Sequence, residues 1–516
     1  MKILFRVDSS SIIGTGHKMR CLTLANALRE RGVECLFVCR NHKGNSIQRV
    51  SDADFEVKVL NFDGHRGGQN KDEFEFAHAA WLGTSWQADA EQTIAAIETA
   101  FFDWIVVDHY ALDARWESAL RSYCRKLMVI DDLADRKHSC DLLLDQNLIA
   151  DLVHRYAGRI PDHCARLLGP DYALLQPEYA VLRSHILPRS GQVQRIFVFF
   201  GGADIYDCTG RTTRVFLSLN RKDISVDVVV SPGHQYENDI REQVIGHSNI
   251  TIHGALPSLA ELMARADLAI GAGGATSWER CCLGLPSLVV TLAENQRPIA
   301  LELDRLGLVR WVGHHDQVDD KSLIEALLCC LQQSDLQDWS ERCWEVVDGK
   351  GSERVASIIM LDNQTGIEAR LANADDEALI LRWANDPLVR NNSFNPDAIN
   401  EANHHVWFFQ RLENIKYCKI YIIQTKEGIP IGQVRFEKNN ENWEIHFALD
   451  QYARFRGVGS RVLDTAISLF KKQHAKANIF GRVKIENGSS QKIFRKLGFE
   501  EVASDSLITY YLKLDN

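Results

Sequence analysis

Three glycine-containing stretches of this chain carry residue types that bind anions or move protons. The first, residues 9–20, places His17 directly after Gly14 and Gly16. Glycines permit the positive φ angles that a tight turn needs, and the first N–H groups of a following helix attract anions. Because an imidazole changes charge near neutral pH, His17 is a candidate general base at this turn. The alternative is that His17 only caps the helix or packs against it.

The second stretch, residues 273–279, follows an apolar run and combines glycines, hydroxyls and a carboxylate. Its candidate ligand residues are Gly273, Gly274, Thr276, Ser277 and Glu279. Backbone N–H groups in such a turn can cradle a diphosphate, and a glutamate one helical turn further on can accept hydrogen bonds from a ribose diol. Glu279 is equally consistent with a solvent-facing glutamate in the first turn of a helix, where the dipole favours negative charge.

The third stretch, residues 454–461, pairs glycines with arginines. It contains Arg454, Arg456, Gly457, Val458, Gly459, Ser460 and Arg461. The glycines keep side chains away from consecutive N–H groups that can bind a pyrophosphate, and the arginines add positive charge. Taken alone, the pattern also fits an ordinary surface turn.

The first two stretches lie in segments that alternate apolar strands with helices. Residues 2–147 predict a doubly wound parallel sheet, whose strands end in Asp8, Asp108, His109, Asp131 and Asp132. Such sheets bind ligands at the carboxyl ends of their strands, although each of these residues is also a common helix cap or turn former. A second α/β half begins at Arg195, and two halves with facing glycine turns predict a ligand cleft. Residues 63–87, which have no clean period, predict a loop at the same edge.

The composition limits the kinds of function that the chain can have. With 516 residues it is long enough for about three domains. The formal net charge of −10 argues against a nucleic-acid surface. We expect no membrane span, no signal peptide and a cytoplasmic protein. The 13 cysteines show no Cys-x-x-Cys spacing, which favours buried free thiols, and we expect no metal site.

A different pattern follows the polar segment 362–366. Strand-like runs at 419–423, 431–436 and 443–449 are joined by hairpin-like turns and predict an antiparallel sheet. We therefore place domain boundaries at 1–180, 181–361 and 367–516.

Five motifs in residues 1–360 carry a family resemblance. They are Gly14-x-Gly16-His17-x-x-Arg20, Leu168-Gly169-Pro170-Asp171-Tyr172-Ala173-Leu174-Leu175, Phe199-Phe200-Gly201-Gly202-Ala203-Asp204, residues 273–279, and Glu294-Asn295-Gln296. Together they resemble the UDP-sugar hydrolases of pseudaminic acid biosynthesis, which have the GT-B fold. The resemblance implies that His17 is catalytic, that Gly14, Gly16 and Arg20 contact substrate and that Asn295 faces the sugar. It also implies that UDP is bound by Gly273, Gly274, Thr276, Ser277 and Glu279.

The C-terminal motifs resemble the GNAT acetyltransferase superfamily. They are the arginine-glycine loop and Asn487-x-x-Ser490-x-x-x-Phe494-x-Lys496-x-Gly498-Phe499. The segment 381–386, with Trp407 and Phe408, is similar to the branch that acetylates the 4-amino group of a UDP-amino sugar. The resemblance implies that the loop binds acetyl-CoA and that Asn487 helps to hold the pantetheine arm. Many relatives carry a tyrosine, the proton donor to the leaving thiolate, where this chain has Phe494, and a phenyl ring cannot donate a proton. The alternatives are that Tyr510, Tyr511 or a water molecule serves as the acid, or that the acid is dispensable.

Two residues on one predicted strand are candidates for the base of this second domain. Glu444 and His446 share one face, because side chains alternate along a strand. The resemblance favours Glu444 as the base, whereas a solvent-facing glutamate is the alternative.

The sequence thus predicts an α/β, GT-B-like pair of Rossmann-like domains followed by an α+β GNAT acetyltransferase domain. The implied function is acetylation of a UDP-4-amino sugar by acetyl-CoA and hydrolysis of the resulting UDP-diacetamido sugar. Two alternatives remain: a GT-B glycosyltransferase that passes the sugar to an acceptor, and a sugar-nucleotide sensor whose GNAT domain is inactive.

Overall fold

The computed structural model describes residues 1–62, 77–202, 204–231, 234–254, 256–504 and 506–512. The chain forms two compact units, Met1–Ala356 and Ser357–Asn516. Residues 63–76 of the predicted loop, and Ala203 of one motif, lie outside the described residues. Among the described residues, no helix combines the length and the apolar character that crossing a bilayer requires.

The first half of the N-terminal unit is a parallel sheet in the order β3-β2-β1-β4-β5-β6-β7. Most positions of its central strands are buried, as in a sheet that is covered on both faces. The strands are β1 (Lys2–Val7), β2 (Glu34–Arg40), β3 (Glu56–Leu60), β4 (Phe102–Asp108), β5 (Cys124–Ile130), β6 (Leu142–Asp145) and β7 (Ala165–Leu168). The helices are α1 (Gly16–Arg29), α2 (Gln48–Asp52), α3 (Trp86–Ile97) and α4 (Ala114–Leu120).

The second half repeats this architecture with the parallel order β10-β9-β8-β11-β12-β13. Its strands are β8 (Arg195–Phe199), β9 (Ser225–Val229), β10 (Ile250–His253), β11 (Leu268–Ala272), β12 (Ser287–Thr291) and β13 (Arg310–His314). The helices that precede, connect and follow them are α5 (Pro177–Arg183), α6 (Cys208–Ser218), α7 (Glu237–Gln243), α8 (Ala260–Arg265), α9 (Thr276–Cys282), α10 (Arg297–Arg305), α11 (Asp320–Leu331), α12 (Gln337–Val346) and α13 (Gly351–Met360). The predicted pair of Rossmann-like halves is therefore confirmed.

The two halves of this unit contact each other. The indole N–H of Trp278 donates to Oδ1 of Asn147 at 3.1 Å, and Ser352 donates to the carbonyl oxygen of Leu175. A Cβ built on Gly202 would lie 3.9 Å from Oγ1 of Thr15, so the turn after β8 faces the turn after β1. These contacts bring the carboxyl ends of both sheets to one cleft, where open α/β sheets bind their ligands.

The C-terminal unit contains one mixed sheet in the order β14-β15-β16-β17-β18-β20-β19. Its strands are β14 (Ile367–Leu371), β15 (Cys418–Thr425), β16 (Pro430–Asn439), β17 (Asn442–Leu449), β18 (Asn478–Lys484), β19 (Glu500–Ala503) and β20 (Leu507–Leu512). The helices are α14 (Glu377–Ala384), α15 (Pro387–Asn392), α16 (Glu401–Glu413), α17 (Gly459–Gln473) and α18 (Gly488–Lys496).

One pairing in this sheet departs from the predicted antiparallel pattern. β17 and β18 run parallel, because α17 carries the chain back across the sheet between them. They pair only through residues 442–444 and 478–480, and the rest of β18 pairs with β20 instead. Beyond Glu444 the two strands separate and open a gap in the sheet.

Gly271 in β11 tests the packing that positions the second glycine loop. A Cβ there would meet the carbonyl oxygen of Phe199 on β8, so we expect Gly271→Ala to lower the free energy of unfolding by about 3 kcal/mol. Gly254→Ala is the matched control, since a Cβ at Gly254 meets nothing within 4 Å. Urea denaturation measures both variants. Equal midpoints for the two would contradict this account of the packing.

Candidate active sites

The first site is built around a buried pair of His17 and Asp108. Nδ1 of His17, in the first turn of α1, lies 2.6 Å from Oδ1 of Asp108 at the end of β4. Asp108 is fully buried and His17 is 8% exposed. β1 and β4 are neighbours in the sheet, and the turn after β1 contains Gly14 at a φ of +76° and leads into α1 at Gly16. A carboxylate at Nδ1 holds the proton there and leaves Nε2 as a proton acceptor.

Arg20 and Asp132 extend this pair into a network. The Arg20 guanidinium donates to both oxygens of Asp108 at 2.6 Å and to Asp132 at 3.0 Å. Tyr110 also donates to Asp132, and its ring lies edge-on to His17 with centroids 4.4 Å apart. Burial by itself raises the pKa of Asp108, but Arg20 and His17 outweigh burial and hold that pKa well below its ordinary value. Arg20 thus orients Asp108, and its contact with substrate stays a prediction.

A group of packed ring side chains lies beside His17, and the sequence analysis missed it. Trp81 stacks on Tyr110 with centroids 5.6 Å apart, and His78 lies 5.2 Å from the same ring. His78 and Trp81 follow the aperiodic stretch, and the only sequence signal was the presence of ring side chains in an otherwise polar loop. These rings limit the space around His17 on one side.

Two other carboxylates at strand ends, those of Asp8 and Asp131, form buried ion pairs inside the fold. Asp8 is 2% exposed and is held by Arg6 at 2.6 Å, by His109 at 3.2 Å and by His42 at 3.3 Å. Asp131 is fully buried, and its salt bridge to Arg136 measures 2.9 Å. Of the carboxylates singled out in the sequence, Asp108 and Asp132 are the ones that join His17.

The glycine loop of the second half leads from β11 into α9, as predicted. A Cβ at Gly273 would lie 3.2 Å from Thr291 and 3.3 Å from Val289, and one at Gly274 would lie 3.7 Å from Gln296. Thr276 is the first residue of α9 and is partly exposed. Ser277 is buried, and its Oγ accepts a hydrogen bond from Arg280 at 3.0 Å. The structure therefore turns the Ser277 hydroxyl inward, and its predicted role as a UDP ligand is untested.

Glu279 lies in the same helix and carries an unsatisfied polar atom. Its Oε2 is buried and has no hydrogen-bond partner among the described residues. Burial raises the pKa of Glu279 to about 7, although Tyr179, which hydrogen-bonds the carboxyl group, and Arg280 both oppose the rise. A buried polar atom without a partner is costly, so an incoming donor such as a ribose hydroxyl would be stabilised there.

Asn295 lies in the short 3₁₀ turn Glu294–Gln296 after β12 and is partly exposed. Its neighbour Gln296 packs against the glycine loop and accepts a hydrogen bond from the N–H of Leu292 at 2.9 Å. The turn thus lies beside the glycine loop, and contact of Asn295 with a sugar stays a prediction.

The second site is a cavity of about 950 Å³ in the C-terminal unit. It lies where β17 and β18 separate, and it is lined by residues 445–449 of β17 and by Arg482 and Val483 of β18. Arg454, Phe455 and Asn487 line it as well. Because β17 has no pairing with β18 beyond Glu444 in the described ladders, its backbone groups there can pair with an extended ligand.

The arginine-glycine loop precedes α17, but its arginines already have partners within the chain. Arg454 donates to the carbonyl oxygen of Leu449 at 2.9 Å and pairs with Asp386 at 2.9 Å. Arg456 donates to the carbonyl oxygens of Ile359 and Leu361. These contacts hold the loop in place, and Arg454 lines the cavity.

The remaining loop residues build the start of α17. Gly457 has a φ of +75°, Val458 occupies the N-cap position without a side-chain cap, and Gly459 and Ser460 are the first two residues of the helix. A Cβ at Gly459 would lie 2.7 Å from Cδ1 of Ile493, so a larger residue there would require Ile493 to move. Glycine at this position lets α17 approach α18 without displacing the Ile493 side chain.

Asn487 caps α18. Its Oδ1 accepts a hydrogen bond from the N–H of Ser490 at 3.1 Å. The cap uses the amide oxygen, and Asn487 also lines the cavity. A role in holding a pantetheine arm is open to its amide N–H groups and is not tested.

Glu444 and His446 share one face of β17 but have different surroundings. Arg482 donates to Oε1 of Glu444 at 2.7 Å and to Oε2 at 3.1 Å. Glu444 lines a neighbouring cavity of about 690 Å³, whereas His446 lines the larger one. The predicted role of Glu444 as base is untested, and its two oxygens are occupied by one guanidinium group.

Glu279 provides a pH-dependent test of the first site. Because its pKa is about 7 in the folded chain, above the ordinary glutamate value, the native state binds more protons and stability falls as the pH rises towards 7. We expect Glu279→Gln to raise the urea midpoint of the chain relative to wild type at pH 8 and to change it little at pH 5.

Glu341→Gln is the control for that test, since Glu341 is an exposed glutamate in the same half of the unit. It should leave the midpoint unchanged at both pH values. A Glu279→Gln effect of equal size at pH 5 and pH 8 would show that the Glu279 carboxyl is ionised across this range.

Comparisons with known proteins identify both parts of the chain. Residues 196–343 match the glycosyltransferase family 28 C-terminal domain, and residues 367–500 match the acetyltransferase (GNAT) domain. An uncharacterized protein of Methanocaldococcus jannaschii is 23% identical over 97% of both chains. The UDP-2,4-diacetamido-2,4,6-trideoxy-beta-L-altropyranose hydrolase of Campylobacter jejuni is 23% identical over 60% of this chain and 97% of its own.

Among solved structures, MurG of Acinetobacter baumannii is 14% identical, with a TM-score of 0.48 over 70% of this chain and 99% of its own. The two family matches and the hydrolase relative indicate a chain that joins a UDP-sugar-hydrolase-like, GT-B-like unit, whose second half matches the glycosyltransferase family 28 C-terminal domain, to a region that matches the GNAT acetyltransferase domain.

Proposed function

We propose that the chain is a bifunctional enzyme of nucleotide-sugar metabolism. Its C-terminal unit transfers an acetyl group from acetyl-CoA to the 4-amino group of a UDP-4-amino-4,6-dideoxy-N-acetyl-altrosamine. Its N-terminal unit hydrolyses the resulting UDP-2,4-diacetamido-2,4,6-trideoxy sugar to UDP and free sugar. The name of the Campylobacter jejuni relative and the two domain matches support this assignment.

The observation that carries the hydrolytic half is the His17–Asp108 pair. Its Nδ1–Oδ1 distance of 2.6 Å leaves Nε2 to take a proton from a water molecule. The oxygen of that water attacks the anomeric carbon, the bond from this carbon to the diphosphate oxygen breaks, and the diphosphate leaves with UDP. The N–H groups of the second glycine loop stabilise the charge that develops on the leaving group.

The positions of the turns in the cleft support binding of the sugar by one half of the unit and of the nucleotide by the other. The turn that contains Thr15 faces Gly202 of the other half, and the glycine loop with Glu279 follows β11, the neighbour of β8. A sugar beside His17 and a nucleotide beside Glu279 would therefore be bound by opposite halves of one unit.

The test is UDP release from the UDP-diacetamido sugar with no acceptor and with EDTA present. We expect catalytic release by wild type and a fall of about 100-fold or more in kcat for His17→Asn, because the proton acceptor is lost. His185→Asn is the matched control, since His185 is exposed and its Nδ1 contacts Ser184 and the carbonyl oxygen of Val181 on its own helix and helix end. Unchanged turnover by His17→Asn would remove this mechanism.

A glycosyltransferase is the second candidate, favoured by the match of residues 196–343 to a glycosyltransferase domain. It makes the opposite prediction in the same assay. UDP would then stay attached to its sugar until an acceptor is supplied, and His17 would deprotonate an acceptor hydroxyl instead of water.

For the C-terminal unit, the gap between β17 and β18 carries the assignment. The backbone of residues 445–449 and the N–H groups at the start of α17 fit an extended pantetheine arm and a pyrophosphate. Transfer of a labelled acetyl group from acetyl-CoA to the UDP-4-amino sugar tests this function. Binding of acetyl-CoA without transfer would favour a sensor in place of an enzyme.

A further inference from the structure

We propose that His446 is the catalytic base of the acetyltransferase site, receiving the proton of the acceptor amine. This inference rests on the proposed acetyl transfer to an amine. His446 follows the last residues that pair β17 with β18, so it lies at the mouth of the gap between the strands. It lines the cavity of about 950 Å³ together with Asn487 and Arg454.

The groups around Nε2 indicate how the His446 imidazole is oriented. Its Nε2 is buried and has no hydrogen-bond partner in the part of the chain that the structure describes, and it lies 3.7 Å from Glu437 and 3.9 Å from Glu444. Yet 35% of the side chain is accessible, so the accessible part is the portion of the ring away from Nε2. Carboxylates on the Nε2 side favour the tautomer with its proton there, which makes Nδ1 the acceptor towards the cavity.

Charges of both signs surround this ring. Arg435 stands opposite His446 in the β16–β17 ladder and stacks on Trp407, and Arg482 on β18 holds Glu444. Burial, followed by Arg435 and Arg482, lowers the pKa of His446 to about 3. The ring is therefore neutral at neutral pH and keeps a lone pair to accept a proton. It is a weak base towards a free ammonium ion, but the proton of the amine becomes much more acidic as its nitrogen bonds to carbon.

Glu444 is less suited to this task in the described geometry. Both of its oxygens accept hydrogen bonds from Arg482, and it does not appear among the residues that line the larger cavity. With both oxygens engaged by one guanidinium group, the Glu444 carboxylate is not positioned to meet an amine in the larger cavity.

The proton balance of the transfer closes without a further acid. The amine nitrogen bonds to the thioester carbonyl carbon, the carbon–sulfur bond breaks, and the sulfur leaves with the electron pair. His446 takes the proton from nitrogen and returns it to the thiolate. This route suits a chain with Phe494 in the cavity, and Tyr510, which stacks on Phe494, already donates its hydroxyl to Glu501 at 3.2 Å.

The experiment compares His446→Gln, Glu444→Gln and wild type in acetyl transfer to the UDP-4-amino sugar across pH 6–10. We expect His446→Gln to lower kcat by about 100-fold or more at pH 7. Calorimetry should show unchanged acetyl-CoA binding by this variant. The deficit should shrink as the pH rises, because hydroxide replaces the missing base, whereas a structural defect would not vary with pH. His405→Gln is the control, since His405 is an exposed histidine that pairs with Glu377 on α14.

Turnover by His446→Gln within twofold of wild type would overturn the assignment, as would a deficit that does not vary with pH. Loss of turnover in Glu444→Gln alone would instead make Glu444 the base. A wild-type chain that transfers no acetyl group overturns the proposed function itself, whereas an active wild type with an equally active His446→Gln variant overturns only the role of His446.

Discussion

The burial of the Asp108 carboxylate is the constraint on which the first site depends. A charge removed from water must be matched by partners, and here the partners are His17 and Arg20, both on α1. The hydrogen bonds that His17 and Arg20 make to this carboxylate set the position of α1 against the end of β4 and the orientation of the His17 ring. The same requirement that keeps the fold stable therefore prepares a proton acceptor at the mouth of the cleft.

The second unit depends on a different constraint, the short parallel pairing of β17 with β18. A strand whose neighbour leaves after three residues has unpaired backbone groups along one edge, and buried groups of this kind need partners. An extended ligand can supply them, which links the defect in the sheet to binding. The separation also gives His446 access to a cavity that a continuous sheet would have filled.

The two units use glycine for different physical reasons. Gly14 and Gly457 adopt positive φ angles that side chains rarely tolerate. Gly271 and Gly459 instead allow close approach, to a backbone carbonyl oxygen in one case and to Ile493 in the other. Motifs that look alike in sequence thus position a turn in one place and a packing contact in another.

Local patterns in the sequence determined the architecture and the location of the candidate sites. Apolar runs of strand length, glycine turns and helix periodicity are encoded within a few residues, so both parallel sheets, His17 and the loop at 273–279 were predictable. Tertiary structure alone decided the partners. His17 meets Asp108 across 91 positions of sequence, and Glu444 meets Arg482 across 38. The parallel pairing of β17 with β18 in the mixed sheet and the different surroundings of Glu444 and His446 likewise arise from long-range packing, which no short stretch of sequence encodes.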